Sequence, residues 1–456
     1  MTKTENIDIL TGDPKTAIKK LAVPTMLSML LIIAYNLADT IWVSGLGPNP
    51  LAALGFVAPL FFILVGFGNG IGAAASSTIA RAIGAKDKKL AENNATHSLI
   101  LTVISSIIIP IIIILFLDDI LIFMRGSGAA LDDSLIYGTI IFAGMFFMIV
   151  PMVLSSILRA EGDVKRPMYS MIATALLNIV LDPIFIYIFG WGVAGAAWAS
   201  ILSSGISTLI MSYWIWIKKD TFLRINHFKY NSGILKDILS ISLPATSENI
   251  LMSLFILYIN MTLTTVGGTV AVACYASALK VNHMTLIPLQ GISTALLTVA
   301  GASFGACDYD KLKTAFNYSN NMGLIISIIL VAITIALAPE IARLFSYTAQ
   351  SASLEPKIAS VIQIFNLFAV VYVWGNNATS MFQGIGKGLT SLMITFGRTL
   401  FVEIIFIYLF TYTLNMGEFG VYLGIIVGCL AASLIALIYS KYYLSKIRRT
   451  LNENQS

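Results

Sequence analysis

Two short stretches, Arg81-Ala-Ile-Gly-Ala-Lys-Asp87 and Ser303-Phe-Gly-Ala-Cys-Asp308, decide how the rest of this 456-residue chain is read. They align Gly84 with Gly305, Ala85 with Ala306 and Asp87 with Asp308, and both run on into a Lys-Leu pair, Lys89-Leu90 and Lys311-Leu312. Upstream, Leu21-Ala-Val-Pro24 matches Ile241-Ser-Leu-Pro244. Downstream, Gly162 matches Gly386, and Gly192-Val-Ala-Gly195 matches Gly417-Glu-Phe-Gly420. The offsets are 220, 221, 224 and 225, so four matches keep one order at nearly one spacing. The chain is an internal duplication.

The sequence between these markers is strongly apolar. Hydrophobic residues make up 57 % and charged residues 11 %, where soluble domains carry about 25 % charged. Mean hydropathy is +0.86. Such a chain cannot cover itself with polar surface, which excludes a cytosolic enzyme, a nucleic-acid binder with a basic face, and a disordered protein. A spanning helix needs roughly 20 apolar residues. Twelve runs qualify, at 17–45, 51–80, 94–117, 134–158, 167–190 and 193–217, then 238–265, 269–303, 314–338, 357–383, 388–413 and 419–444. The reading is an all-α polytopic membrane protein of twelve transmembrane helices in two six-helix lobes. The lobes are 1–217 and 238–456, joined by a cytoplasmic linker at 218–237 that contains His227. An even number of helices per copy gives both copies one orientation, the parallel repeat of many transporters.

Basic residues set the orientation. With the N-terminus inside, 23 of the 28 fall in cytoplasmic segments. Only Arg125, Arg343 and Lys357 fall in outer loops, and Lys280 and Arg398 fall within spans. That bias places both termini in the cytoplasm of a cell-membrane protein. The first 16 residues lack the apolar core of a cleavable signal, so the first span is expected to direct insertion.

Several motifs together carry a family resemblance: LAVP with NLADTIWVSGLG in the first span, ARAIGAKD after the second, and LRAEGDVKRPM after the fourth. LLNIVLDPIFIYIFGWGVAGAAWAS crosses the fifth and sixth, and FQGIGKGLTS follows the tenth. From about Pro14 to Lys441 the chain resembles the multidrug and toxic compound extrusion (MATE) family of secondary transporters, in particular its prokaryotic branch and the staphylococcal multidrug exporters. The resemblance implies the two-lobed MATE fold and a cation-coupled antiporter, driven by H⁺ or Na⁺, that exports lipophilic, often cationic, organic compounds by alternating access. It implies no cofactor beyond the coupling ion, a monomer in the bilayer, and no nucleic-acid partner.

Four of the 23 acidic residues lie well within spans: Asp39, Asp182, Glu248 and Glu403. A carboxylate at mid-bilayer costs at least roughly 2.5–3.5 kcal/mol, and those that persist pair, bind ions or carry protons. Tyr35 precedes Asp39 by one helical turn and Asn178 precedes Asp182 likewise. With Ser200 these residues offer two carboxylates and three neutral oxygens, suited to a proton relay or a hard cation such as Na⁺. The resemblance maps Tyr35, Asp39, Asn178, Asp182 and Ser200 onto the family's N-lobe cation site, where threonine is commoner at the Ser200 position. Asp39 aligns with Ile259 or Asn260 in the second copy and Asp182 with about Phe406, so the coupling chemistry is expected in the N-lobe alone. Pro24 and Pro183 are the expected helix-bending residues, Pro183 by freeing the carbonyl of Ile179.

In the C-lobe, Glu248, Asn282, His283, Asn376 and Asn377 are the candidate substrate-cavity residues. Two alternatives stand beside that reading: Glu248 pairing with Lys280 or a helix end, and His283 as a satisfied interior histidine. Arg398 and Glu403 are read as a buried pair without a transport role. Cys274, Cys307 and Cys429 form no disulfide or zinc pattern. Neither GxxxxGK[ST] nor HExxH occurs, so no ATP-driven step or zinc protease is supported. The rival readings are a flippase for lipid-linked precursors, which would want a strongly cationic cavity, and a membrane-embedded enzyme, for which no catalytic constellation stands out.

Overall fold

The computed structural model describes residues 3–124, 127–225, 228–346 and 352–453, which are helical and contain no strand. Arg125 and His227 lie outside the described residues. After a short helix at Lys3–Thr11 the long helices are α1 (Pro14–Ser44), α2 (Pro48–Gly84) and α3 (Lys88–Leu115), then α4 (Gly128–Ala143 and Met145–Ala160), α5 (Lys165–Pro183) and α6 (Gly192–Ser212). A single helical stretch, Ser232–Gly305, follows. It breaks at Gly268, where φ is 67°, into α7 (232–267) and α8 (269–305). The second half continues with α9 (Tyr309–Phe345), α10 (Glu355–Phe365 and Phe368–Gly384), α11 (Gly388–Thr413) and α12 (Gly417–Glu453). Among the described residues, ten helices are individually long and apolar enough to span a bilayer. The bent α4 pair makes eleven and the break at Gly268 makes twelve, the expected number.

The fourth span departs from expectation. The run at 134–158 is no single rod but two helices bent by 46° about Gly144. A side chain at Gly144 would collide with Ile201, so α6 packs into the break.

Backbone geometry repeats with the sequence. Asp87 caps α3 by accepting the amide of Leu90 at 2.9 Å, and Asp308 caps α9 by accepting that of Lys311 at 3.0 Å. The residue before each cap, Lys86 and Cys307, has positive φ, as do Gly162 and its partner Gly386. Both copies also end their fifth helix in a π-helical turn, Ile184–Ile188 and Leu409–Thr413, closed by Phe189 N–H to Ile184 and Leu414 N–H to Leu409. Pro183 precedes the first turn and Tyr408 the second. Such a turn therefore does not require a proline. The shared feature is a glycine on the next helix, Gly195 or Gly420, pressed against the backbone of Phe185 or Phe410. Pro24 lies inside the unbroken α1.

Packing divides the chain into two compact units, Met1–Gly12 with Leu27–Thr246 and Asp13–Met26 with Ser247–Ser456. Against the sequence limits, the linker and residues 238–246 join the first unit, and the start of α1 joins the second. The linker is held by specific bonds. Glu161, 2 % exposed, accepts the Leu223 amide at 2.9 Å, Asn93 exchanges two hydrogen bonds with the backbone of Lys229, and Arg81 pairs with Asp237 at 2.8 Å. Burial pushes the Glu161 carboxyl up to about 8, against the opposing pull of backbone amides.

Each unit has its own apolar core. In the first, Val57, Leu64, Phe142, Met145 and Ile149 pack together. In the second, Phe255, Tyr275, Ile362, Phe365 and Tyr422 do so. On α9 the large residues Ile325, Ile328, Ile329 and Ile333 remain about half exposed, spaced along one helical stripe. In water such a stripe would be a liability; in a bilayer it is the lipid-facing surface.

Candidate functional site

Asp182 stands at the end of α5 with no exposed surface, one residue before Pro183. Asn178, one turn earlier and 1 % exposed, shares its face as the 3.6-residue period requires. Its Nδ2 donates to Asp182 Oδ1 and to Ser200 Oγ on α6, each at 3.4 Å. Asp39 on α1 lies in electrostatic range of Asp182 and of Tyr35 on its own helix. All five expected coupling residues thus belong to one locality of the first unit.

The unsatisfied atoms there matter most. Asp39 Oδ1, Asp182 Oδ2 and Asn178 Oδ1 are buried and accept no hydrogen bond. A buried acceptor without a donor is costly, and a carboxylate more so. A proton on either carboxyl, or a small hard cation among the oxygens, would relieve that cost. Among the described residues no group of three His, Cys, Asp or Glu converges. The donors are carboxylate, amide and hydroxyl oxygens, the set that hard cations prefer.

A residue not singled out from sequence joins them. The phenol of Tyr137, on the first segment of α4, lies in electrostatic range of Asp39, Asp182 and Tyr35. A tyrosine in an apolar span gives no local signal, and only packing brings it here.

In the second unit the candidate residues make separate sets of hydrogen bonds. Glu248, on α7, accepts Ser391 Oγ at 2.7 Å and Gln383 Nε2 at 3.2 Å, rather than pairing with Lys280. Lys280 is exposed. Gln383 and Ser391 both come from FQGIGKGLTS, and Ser391 was not foreseen as a site residue. Asn376 donates to Ser293 Oγ at 2.8 Å and accepts from Tyr372 at 3.0 Å. Asn377 is buried and donates to Asn320 at 3.1 Å, while Asn282 is buried and donates to Asn366 at 3.1 Å. His283, the next residue on α8, is exposed. Arg398 and Glu403 do form the expected buried pair, Nε to Oε1 at 3.7 Å, with the guanidinium 5.1 Å from the ring centre of Tyr372.

Duplicated six-helix units with acid residues inside the spans define a transporter architecture, and comparison with known proteins names it. The MatE family model matches residues 24–184 and 244–409, one segment in each copy. The chain is a member of the MATE family. The multidrug export protein MepA of Staphylococcus haemolyticus is 25 % identical over 444 residues, covering 96 % of this chain and 95 % of that relative. The probable multidrug resistance protein NorM of Thermotoga maritima is 26 % identical, covering 92 % and 90 %. A solved MOP superfamily transporter from Pyrococcus furiosus is 37 % identical with a TM-score of 0.95, covering 98 % of this chain and all of that one. This MATE protein is accordingly a multi-pass membrane transporter, and not an enzyme.

Proposed function

We propose that this MATE protein is an antiporter that exports lipophilic, often cationic, organic compounds in exchange for inward H⁺ or Na⁺, with Asp39 and Asp182 as the coupling pair. The observation that carries the proposal is the set of three buried oxygens without donors, Asp39 Oδ1, Asp182 Oδ2 and Asn178 Oδ1. A coupling ion must alternately satisfy and abandon such a set. Asn178 bonds both Asp182 and Ser200, and Tyr35 and Tyr137 add hydroxyls in electrostatic range of Asp39. Na⁺ would take the same oxygens as ligands; a proton would sit on one carboxyl. Relatives named as multidrug export and multidrug resistance proteins support export of varied compounds. A monomer with both termini in the cytoplasm completes the proposal, supported by the 23-to-3 bias of basic residues.

The flippase reading wants concentrated positive charge inside the transporter. Arg398 is instead committed to Glu403. The test is efflux of a fluorescent lipophilic cation from proteoliposomes, with Na⁺ and pH gradients imposed separately. Wild type should follow one gradient, and Asp39→Asn with Asp182→Asn should abolish that dependence while eluting as a folded monomer. Gradient-driven efflux at wild-type rate in the double variant would overturn the coupling assignment.

A further inference from the structure

At one end of the second unit, α9, α10 and α12 enclose a cavity of about 630 Å³ that transport coupling does not use. Its polar wall carries Lys313, Lys441, Asn317, Asn320 and Asn321, and among the described residues no acidic one lines it. Among the described residues neither lysine forms a salt bridge. A third cation stands close by: the Arg448 guanidinium lies 5.6 Å from the ring centre of Tyr309, itself a lining residue. Two or three exposed positive charges gathered at one concave site favour an anion there.

A separate observation says what kind. Asn320 is 5 % exposed, and its Oδ1 is occupied by Asn377. The residue lines the cavity, and its Nδ2 is buried and donates to nothing. A buried donor without an acceptor is as costly as the reverse, and an anionic oxygen placed between it and the lysines would satisfy all of them. Several acceptor oxygens around one compact charge describe a phosphate group. The remaining wall, Leu324, Leu437 and Trp374, is apolar and suits a chain or ring attached to it. Basic pockets between spanning helices on the cytoplasmic side are a recurrent way of holding phospholipid headgroups. Given the proposed orientation, this is the cytoplasmic side.

We propose that this cavity is a binding site for a phosphate-bearing anion, with Lys313 and Lys441 as charge partners and Asn320 Nδ2 as a fixed donor. The test is binding to the full-length protein in neutral detergent, which reads nothing about coupling and so stands or falls separately from the antiport proposal. Microscale thermophoresis would compare dihexanoyl phosphatidylglycerol, dihexanoylglycerol and inorganic phosphate. Phosphatidylglycerol should bind and dihexanoylglycerol should not. Lys313→Gln with Lys441→Gln should weaken binding at least tenfold, with thermal stability unchanged. Asn320→Asp should weaken it similarly, because it keeps the acceptor for Asn377 and replaces the donor by a charged oxygen. Inorganic phosphate binding as tightly as the lipid would identify a free phosphate compound as the occupant, and lipid binding alone would identify a headgroup. Undiminished binding in the lysine variant, or no binding of either phosphate probe, would overturn the proposal.

Discussion

Removing Arg398 tests whether the second unit's buried charges are scaffold. Arg398 is 6 % exposed and Glu403 2 %, with 3.7 Å between Nε and Oε1. At an effective dielectric of 20, that separation corresponds to about 4.5 kcal/mol of attraction, and cutting one member of such a buried pair typically costs about 3–5 kcal/mol. The two cuts should differ. Without Glu403, the guanidinium keeps the Tyr372 face at 5.1 Å and a contact to Met252 Sδ at 3.8 Å, support worth about 1 kcal/mol. Without Arg398, Glu403 is left with the Cys429 thiol as its partner. Arg398→Met should therefore destabilise by about 4–5 kcal/mol and Glu403→Leu by about 3 kcal/mol. The double variant removes both charges and should return to within about 1–2 kcal/mol of wild type. Reversible unfolding in mixed detergent micelles provides the four corners of the cycle. If the single losses simply add in the double variant, the two groups are not coupled and the scaffold argument fails. Gradient-driven efflux in the double variant should stay near the wild-type rate.

Other consequences are equally direct. Either Asp39→Asn or Asp182→Asn alone should abolish ion-dependent efflux, measured in the same liposomes, because each carboxylate holds one of the unsatisfied oxygens. The Glu161 carboxyl, raised to about 8 by burial, stabilises the docked linker at low pH and loses that contribution as pH rises through 8. Hydrogen exchange at the Leu223 amide should accelerate from pH 7 to pH 9 beyond its intrinsic base catalysis, and Glu161→Gln should remove the excess. Gly162→Ala should cost more than Gly190→Ala, although both positions have positive φ. The first would drive a methyl into the Asn6 carbonyl while the second meets open space, where about 1 kcal/mol is expected from backbone strain alone. Thermal unfolding of the two variants compares them. Asp308→Ala, which removes the cap on the Lys311 amide, should cost about 1 kcal/mol in the same assay.

The sequence by itself determined the class, the count and the duplication. Apolar runs must become helices in lipid because every backbone group needs an internal partner, and the paired Gly and Asp positions recur because positive φ and helix capping allow few residues. Asp39 and Asp182 stand out for a related reason, since a carboxylate inside a span is expensive. Packing alone decided the rest. Tyr137 and Ser391 approach the carboxylates from helices distant in sequence, and Asn282 and Asn377 find amide partners on neighbouring helices. The linker's attachment to the first unit hangs on bonds such as Glu161 to Leu223, across 62 residues. Periodicity reports which face of a helix is apolar; which neighbour meets that face is set by three-dimensional fit, and a linear pattern carries no measure of it.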